Sequence, residues 1–337
     1  MNRINSKGYI NWKFWTGLLI SALFLYLAFR KVDPAKTWDV IKKSDLSVLF
    51  IVVVFLFLQY VIRAWRWHTL LEPIKKTRFS SRLSTILLGF AANCVLPARL
   101  GEFVRANYLG NSEKISSSAA FATIVVERFF DGLTLLLILL IGILGTKFPG
   151  EYSSIAEKIR HTGIILFIVY IILILLLICF KYKTDLLLKF MGRILFFLPK
   201  NILTKIIHIT GNFSQGLVLI RGYTGWIKVI LYSLLLWLVS IFQIQLVGYS
   251  IILDIPLFTA CLILAMGSFG VMIPSAPGFI GTFHLAVQYG FILYGIGKEE
   301  ALSAAIIWHA TFFFPTILFG LGALIYFNSL TGFTMKS

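Results

Sequence analysis

Residues 93–103 read "NCVLPARLGEF". Arg99 and Glu102 stand three apart behind Pro97, inside one of the more apolar regions of the chain. Isolated charge is expensive in hydrocarbon, and ionisable residues found there face a bundle interior and pair with one another. How this stretch is read depends first on whether its surroundings are hydrocarbon.

The 337-residue chain is 58% hydrophobic and 13% charged, with a mean hydropathy of +0.89. Soluble domains average roughly 45–50% apolar and about 25% charged. The excess belongs to an all-α polytopic membrane protein, because continuous apolar runs long enough for a hydrocarbon core of about 30 Å recur along the chain. Closed barrels need alternating segments instead. Full spans are expected at 12–29, 46–64, 117–146, 162–180, 226–252 and 301–327. The first follows Arg3, Lys7 and Lys13 and ends in "FRKVD" rather than a small-residue cleavage site, so it reads as a transmembrane helix and not a signal peptide. Cys94, Cys179 and Cys261 lie far apart in apolar segments, with no CxxC spacing. They form neither a disulfide framework nor a zinc site. No metal and no cofactor is expected.

The formal net charge is +17. Lys and Arg fall mostly between apolar segments, as in loops facing anionic lipid on the cytoplasmic side. No nucleic-acid-binding motif accompanies them, so nucleic acid is not an expected partner.

Two apolar regions, 83–109 and 257–295, are interrupted near their middles, by "VLPARLGEF" and "GVMIPSAPGFIGTF". Non-helical backbone at membrane depth survives only where protein buries it or a watery cavity borders it. Charge parity tests what these regions do. Loop 63–82 carries Arg63, Arg66, Lys75, Lys76, Arg78 and Arg82 against Glu72 alone, and the basic stretch 181–228 has Asp185 as its sole acid. Both are expected in the cytoplasm, so an even number of crossings separates them. That holds if 83–109 is a re-entrant hairpin entering from the cytoplasm. The same logic brings 257–295 in from the opposite side and leaves both termini cytoplasmic, in a prokaryotic plasma membrane. Loop 30–45 then falls outside despite five Lys/Arg, partly offset by Asp33, Asp39 and Asp45. The shared pattern of Pro, a small residue and a later Gly suggests an inverted-topology repeat, a design that places its site near mid-membrane where helices break. The organisation is one integral membrane domain, 1–337, with a first half of about 10–180 and a second of 226–327. Between them, 181–225 reads as amphipathic helix on the cytoplasmic surface, broken at Pro199.

Arg99, Glu102 and Arg105 share a helix face if the chain is helical after Pro97. They either snorkel toward headgroups or form a basic pocket with one compensating acid, in which a half-helix N-terminus adds partial positive charge suited to phosphate. In "VVERFFDGLTLLL", Glu127 and Asp131 are four apart and Arg128 lies three before Asp131. These residues read equally as a structural ion-pair set, for instance Glu127 with Arg99 or Arg105, and as part of a substrate path. The second hairpin has no charge; Pro274, Pro277, Gly278 and Gly281 shape its turn, as Pro97 and Gly101 shape the first. His284 and His309 are its titratable neighbours, read as helix–helix hydrogen-bonding residues or as a proton relay. "RAWRWHTLL" at 63–71 reads as an interfacial anchor. No phosphate-cradling GxxxxGK[ST], HExxH or GxSxG is present. The longest polar-rich stretch, about 45 residues, is below ordinary domain size, so no soluble catalytic domain is expected.

Taken together, "NCVLPARLGEFVRANYL", "ERFFDGLTLLL" and "GVMIPSAPGFIGTFHLAV" resemble the lysylphosphatidylglycerol synthetase transmembrane-region family of flippase-like integral membrane proteins, over about residues 10–325. The resemblance carries over Pro97, Arg99, Gly101, Glu102, Glu127, Arg128, Asp131, Gly132, Pro274, Pro277, Gly278 and Gly281 as motif positions. In its namesake enzymes this region resembles a flippase for aminoacylated phospholipid, fused to a soluble transferase; only the membrane part is matched here. The resemblance implies movement of a phosphate-bearing headgroup on a phospholipid, aminoacyl-phospholipid, polyprenyl lipid or glycolipid. Arg99, Glu102, Arg105, Glu127, Arg128 and Asp131 would line its site. The alternatives are a membrane-embedded headgroup transferase, with Glu127 or Asp131 as base, and an accessory subunit of a separate lipid-modifying enzyme. Membrane lipids are the expected partners in each case.

Overall fold

The computed structural model describes residues 9–96, 99–150, 153–182 and 222–331. Pro97 and the segment expected to be amphipathic at 181–225, except for residues 181–182 and 222–225, lie outside the described residues. Eleven α-helices, and no strands, occur among those described: α1 (Tyr9–Phe29), α2 (Pro34–Lys42), α3 (Leu46–Leu71), α4 (Phe79–Val95), α5 (Gly101–Glu113), α6 (Ser117–Gly145), α7 (Ser153–Tyr182), α8 (Gly222–Tyr249), α9 (Leu257–Met272), α10 (Thr282–Leu293) and α11 (Lys298–Thr331).

By length and composition, α3, α8 and Lys298–Phe327 of α11 are suited to cross a membrane; α1 and α2 together make a fourth candidate, bent by 86°. The sequence predicts a loop over 30–45, whereas α2 stands there. Its cause is local. The Asp33 carboxylate accepts from the backbone N–H of Ala35 (2.9 Å) and Lys36 (3.4 Å), and Pro34 occupies the first helical position, the preferred chemistry for a helix start. Asp45 caps α3 in the same way, through Ser47 N–H at 2.8 Å. Two acids read as offsetting charge are therefore helix caps.

Large apolar side chains point outward, among them Phe50, Leu144, Ile165 and Leu318. The interior holds Tyr60, Trp67, Ile86, Leu109 and Ile124 in one cluster and Ile244, Ile263, Val287 and Phe291 in another. In lipid, apolar burial distinguishes folded from separated helices only weakly. Association rests on close packing at small residues and on interhelical hydrogen bonds. The glycines supply that packing. A Cβ on Gly89 would overlap the Arg105 side chain and the Gly101 carbonyl, and one on Gly101 would overlap the Gly89 carbonyl, so α4 and α5 touch backbone to backbone. The Gly101 N–H donates to Asn93 Oδ1 at 2.8 Å across the same break. Gly270 plays this part in the second hairpin, against Ala286 and the Thr282 carbonyl. Between elements, Gly142 of α6 meets the backbone of Cys261 and Leu262 in α9, and Gly320 of α11 meets Ala91 and the Leu87 carbonyl in α4.

Both regions expected to be broken are broken. Helices α4 and α5 flank the first interruption, α9 and α10 the second, the latter with a 3-10 turn at Pro277–Phe279 between them. Lys75 Nζ donates to the Glu113 carbonyl at 2.6 Å, which ties the start of α4 to the end of α5. At the other end of α6, Gly145 packs on the ring of Phe258, at the start of α9. The two tips meet: Arg99 Nη2 donates to the Val271 carbonyl at 2.7 Å.

Candidate functional site

Three helices converge their charges. Arg63 and Arg66, three apart on α3, turn one face toward α6, whose Glu127, Arg128 and Asp131 share a facing stripe. Helix α5 adds Glu102 and Arg105 from its first turn and a half, delivered by the close contact of Gly89 and Gly101. Arg66, Arg105 and Glu127 are each 0% exposed.

Glu127 is the hub. Arg105 grips it with both terminal nitrogens, at 3.2 and 3.0 Å, a bidentate geometry that fixes orientation as well as charge. Arg128 Nη2 reaches its Oε1 at 2.7 Å, and Arg66 Nη2 lies 3.3 Å from the same oxygen. Asp131 is the second anchor: Arg66 Nη1 donates to Oδ1 at 2.6 Å, and Arg63 Nη1 and Arg128 Nη1 each stand 3.5 Å from Oδ2. Arg66 also donates to Ser233 Oγ of α8 at 2.9 Å. Glu102 holds more loosely, 3.3 Å from Arg105 and 3.6 Å from Arg128. Aromatic faces wall the cations: Trp67 lies 4.4 Å from the Arg105 guanidinium and Phe90 lies 4.9 Å from that of Arg63. Trp67 is itself fixed by its indole N–H donating to Thr123 Oγ1 at 2.8 Å.

Four guanidinium groups thus face three carboxylates, leaving one positive charge in excess. Donors are also in surplus: the Nε atoms of Arg66 and Arg105 are buried without an acceptor, and Arg128 Nε has only the long 3.6 Å contact to Glu102. The cluster opens at one place, where the Arg128 side chain is 36% exposed beside Glu102 at 18%. Such an arrangement can receive an anion and stabilise it with preset donors; it contains no nucleophile–base pair.

The expected residues divide. Glu102, Arg105, Glu127, Arg128 and Asp131 come together. Arg99 does not join them; with φ of 54° it points to the Val271 carbonyl and stacks over Phe279 at 5.8 Å. There it caps the C-terminal end of α9, where cations are favoured. Gly278 (φ 76°) and Gly281 (φ 94°) form the second turn, together with Pro277; Pro274 lies just ahead of it. His309 Nε2 bonds the Gly278 carbonyl at 2.7 Å, and His284 Nδ1 accepts from the Gly281 N–H at 3.3 Å. Their rings lie 4.7 Å apart and brace the turn. Among the described residues, no group of three His, Cys, Asp or Glu is placed to hold a metal ion.

Sequence reasoning missed Arg63 and Arg66. "RAWRWHTLL" reads as an interfacial anchor, whereas Arg66 is completely buried against Glu127 and Asp131. A signal was present. Two acids four apart on an apolar helix need cations from a neighbouring helix, and two arginines three apart at the end of another span have the matching repeat.

Comparison with known proteins gives the family of the chain. The model of the lysylphosphatidylglycerol synthase TM region matches residues 14–320. Among curated proteins, the chain is 24% identical to glycosyltransferase AglD of Haloferax volcanii over 94% of this chain and 54% of that protein, so it spans about half of that relative's length. It is 21% identical to a UPF0104 membrane protein of Methanothermobacter thermautotrophicus, over 93% of this chain and 95% of the relative. It is 24% identical to UPF0104 membrane protein MJ1595 of Methanocaldococcus jannaschii, over 91% and 93%. No solved structure matches. This integral membrane protein belongs to the lysylphosphatidylglycerol synthase TM region family.

Proposed function

We propose that this protein moves a lipid with a phosphate-bearing headgroup across the membrane, holding the headgroup at the buried arginine cluster while the tails stay in lipid. The observation that carries this reading is the charge count: four guanidinium groups against three carboxylates, linked within 4 Å and open at Arg128. A purely structural ion-pair set would be expected to balance, because buried uncompensated charge is costly.

The packing supports an inverted repeat around this site. Each half runs long helix, broken pair, long helix: α3, α4–α5 and α6, then α8, α9–α10 and α11. The neighbours correspond, with α4 on α11 and α9 on α6, each through a glycine, and α3 on α8 at the centre. The first hairpin has its open end at the start of α6 and the second at its finish. That is the arrangement expected of re-entrant pairs entering from opposite sides, with the tips meeting between them. Loop 72–78 is basic, so we place it and both termini in the cytoplasm of a prokaryotic cell. The likeness to a glycosyltransferase favours a second reading, in which the protein presents a lipid to a separate sugar-transferring or other lipid-modifying enzyme.

Reconstitution tests the main reading. In proteoliposomes carrying a fluorescent phosphatidylglycerol, wild-type protein should equilibrate the probe between leaflets and Arg128→Gln should not, at equal amounts of folded protein. No movement by either would discard transport, and equal movement by both would discard the arginine cluster as its site. New lipid species in that reconstitution would instead establish an enzyme.

A further inference from the structure

Resting on the headgroup reading, we propose that the cluster is built for one monoanionic phosphodiester and discriminates against headgroups of higher negative charge. Within the set paired inside 4 Å the surplus is a single charge, Arg63, Arg66, Arg105 and Arg128 against Glu102, Glu127 and Asp131; Arg99, outside that set, is turned to the Val271 carbonyl. A phosphodiester carries one negative charge, so it makes the cluster neutral as a fourth anion. A diphosphate, or a fully ionised phosphomonoester, leaves at least one negative charge without a partner where solvent is nearly excluded.

The donors are a second, independent observation. Arg66 and Arg105 are fully buried, yet each has an Nε with no acceptor, and at the opening Arg128 Nε has only Glu102 Oε1, at 3.6 Å. Buried donors without partners are rare and costly, and phosphate oxygens are strong acceptors for guanidinium groups. Glu102 is placed to yield. Its contacts, at 3.3 and 3.6 Å, are longer than the 2.7 Å contact between Arg128 and Glu127, and it is the most exposed of the three acids. An arriving phosphodiester would take the Arg128 side facing the opening, while Glu127 and Asp131 keep the inner arginines in place.

Equilibrium binding of purified protein in neutral detergent micelles tests this without any movement of lipid. The probes are phosphatidylglycerol, phosphatidylcholine, a polyprenyl diphosphate and water-soluble glycerophosphoglycerol. Wild-type protein should bind phosphatidylglycerol about tenfold or more tighter than the diphosphate, the scale of one unmatched charged hydrogen bond. Glu102→Gln raises the surplus to two and should reverse that order. Arg128→Gln removes the surplus and should weaken phosphatidylglycerol by a similar factor. If that variant does not fold, the reversal in Glu102→Gln decides alone. Equal or tighter diphosphate binding by wild-type protein, or an unchanged order in Glu102→Gln, overturns the proposal. Phosphatidylcholine binding as tightly as phosphatidylglycerol overturns the selection by net charge. Competition by glycerophosphoglycerol at the lipid's own concentration overturns the lipid source. Selective binding without movement in proteoliposomes would sink transport and leave this selectivity standing.

Discussion

The two hairpins share a design and differ in chemistry. Both fold a short helix back on another through a glycine contact, and each packs on the long helix that ends the other half. The first carries Arg99, Glu102 and Arg105 and completes an ion network with α3 and α6. The second has no charged residue from Leu257 to Leu293 and is braced by two histidines and backbone geometry. One scaffold thus supports a charged wall and a neutral wall. The tips are joined by Arg99 of the first and the Val271 carbonyl of the second. Substitutions should hurt the two halves for different reasons: unpaired charge in the first, lost backbone geometry in the second.

The largest effect is expected at Glu127. Its removal leaves Arg66, Arg105 and Arg128 without their common partner in a nearly dry interior, and loss of one member of a buried pair costs about 3–5 kcal/mol. Glu127→Ala should therefore fail to accumulate or should melt far below wild type in detergent. Pairing it with Arg66→Met, which removes one of the stranded cations, should recover part of the loss. No recovery would mean that packing and not charge sets the cost.

Gly101→Ala comes next. The added methyl meets the Gly89 carbonyl, which is backbone, and the Asn93 side-chain amide, which the Gly101 N–H holds in place. Overpacking of this kind costs about 1–3 kcal/mol. Transport should fall with it, because the same contact aims Arg105 at Glu127. A melting temperature equal to wild type would show that α4 and α5 can separate freely, and would break the likeness between the hairpins.

The second hairpin should answer to His309. Phenylalanine there keeps the packing against Phe283 and Phe313 but abandons the Gly278 carbonyl, whose lost bond costs roughly 1–2 kcal/mol. His309→Phe should lower the melting temperature modestly and leave phosphatidylglycerol binding at the charged wall unchanged. A change in headgroup affinity would show that the neutral wall takes part in recognition.

Much of this architecture was legible in the sequence, and the failures have physical causes. The breaks at 97–101 and 274–281 announced themselves through proline and glycine. Glu127 and Asp131 stood out because charge in an apolar helix has few uses. Arg63 and Arg66 were hidden because their neighbours Trp65 and Trp67 form the pattern of an interfacial belt, and sequence does not say which way a helix end faces. Here Trp65 is 45% exposed while Trp67 is 0% exposed, so tryptophans two residues apart serve the surface and the core. Helix α2 was missed because its apolar content is low and its signal is a capping pair, Asp33 and Pro34, rather than periodicity. Arg99 was grouped with Glu102 and Arg105 on spacing and on the family resemblance. Its left-handed backbone turns it out of the face that Glu102 and Arg105 share.

Gly132 offers the smallest effect and separates structure from function most cleanly. It lies within α6, next to Asp131, and is one of the positions carried over from the family resemblance, yet a Cβ there meets nothing within 4 Å. Alanine is favoured over glycine inside a helix by about 0.5–1 kcal/mol. Gly132→Ala should therefore leave the melting temperature unchanged or raise it by a degree or two. If transport and phosphatidylglycerol binding are also unchanged, the glycine has no part in the site. If both fall while stability holds, open space beside Asp131 is being used by the lipid. The charged wall would then extend from the opening at Arg128 along the face of α6.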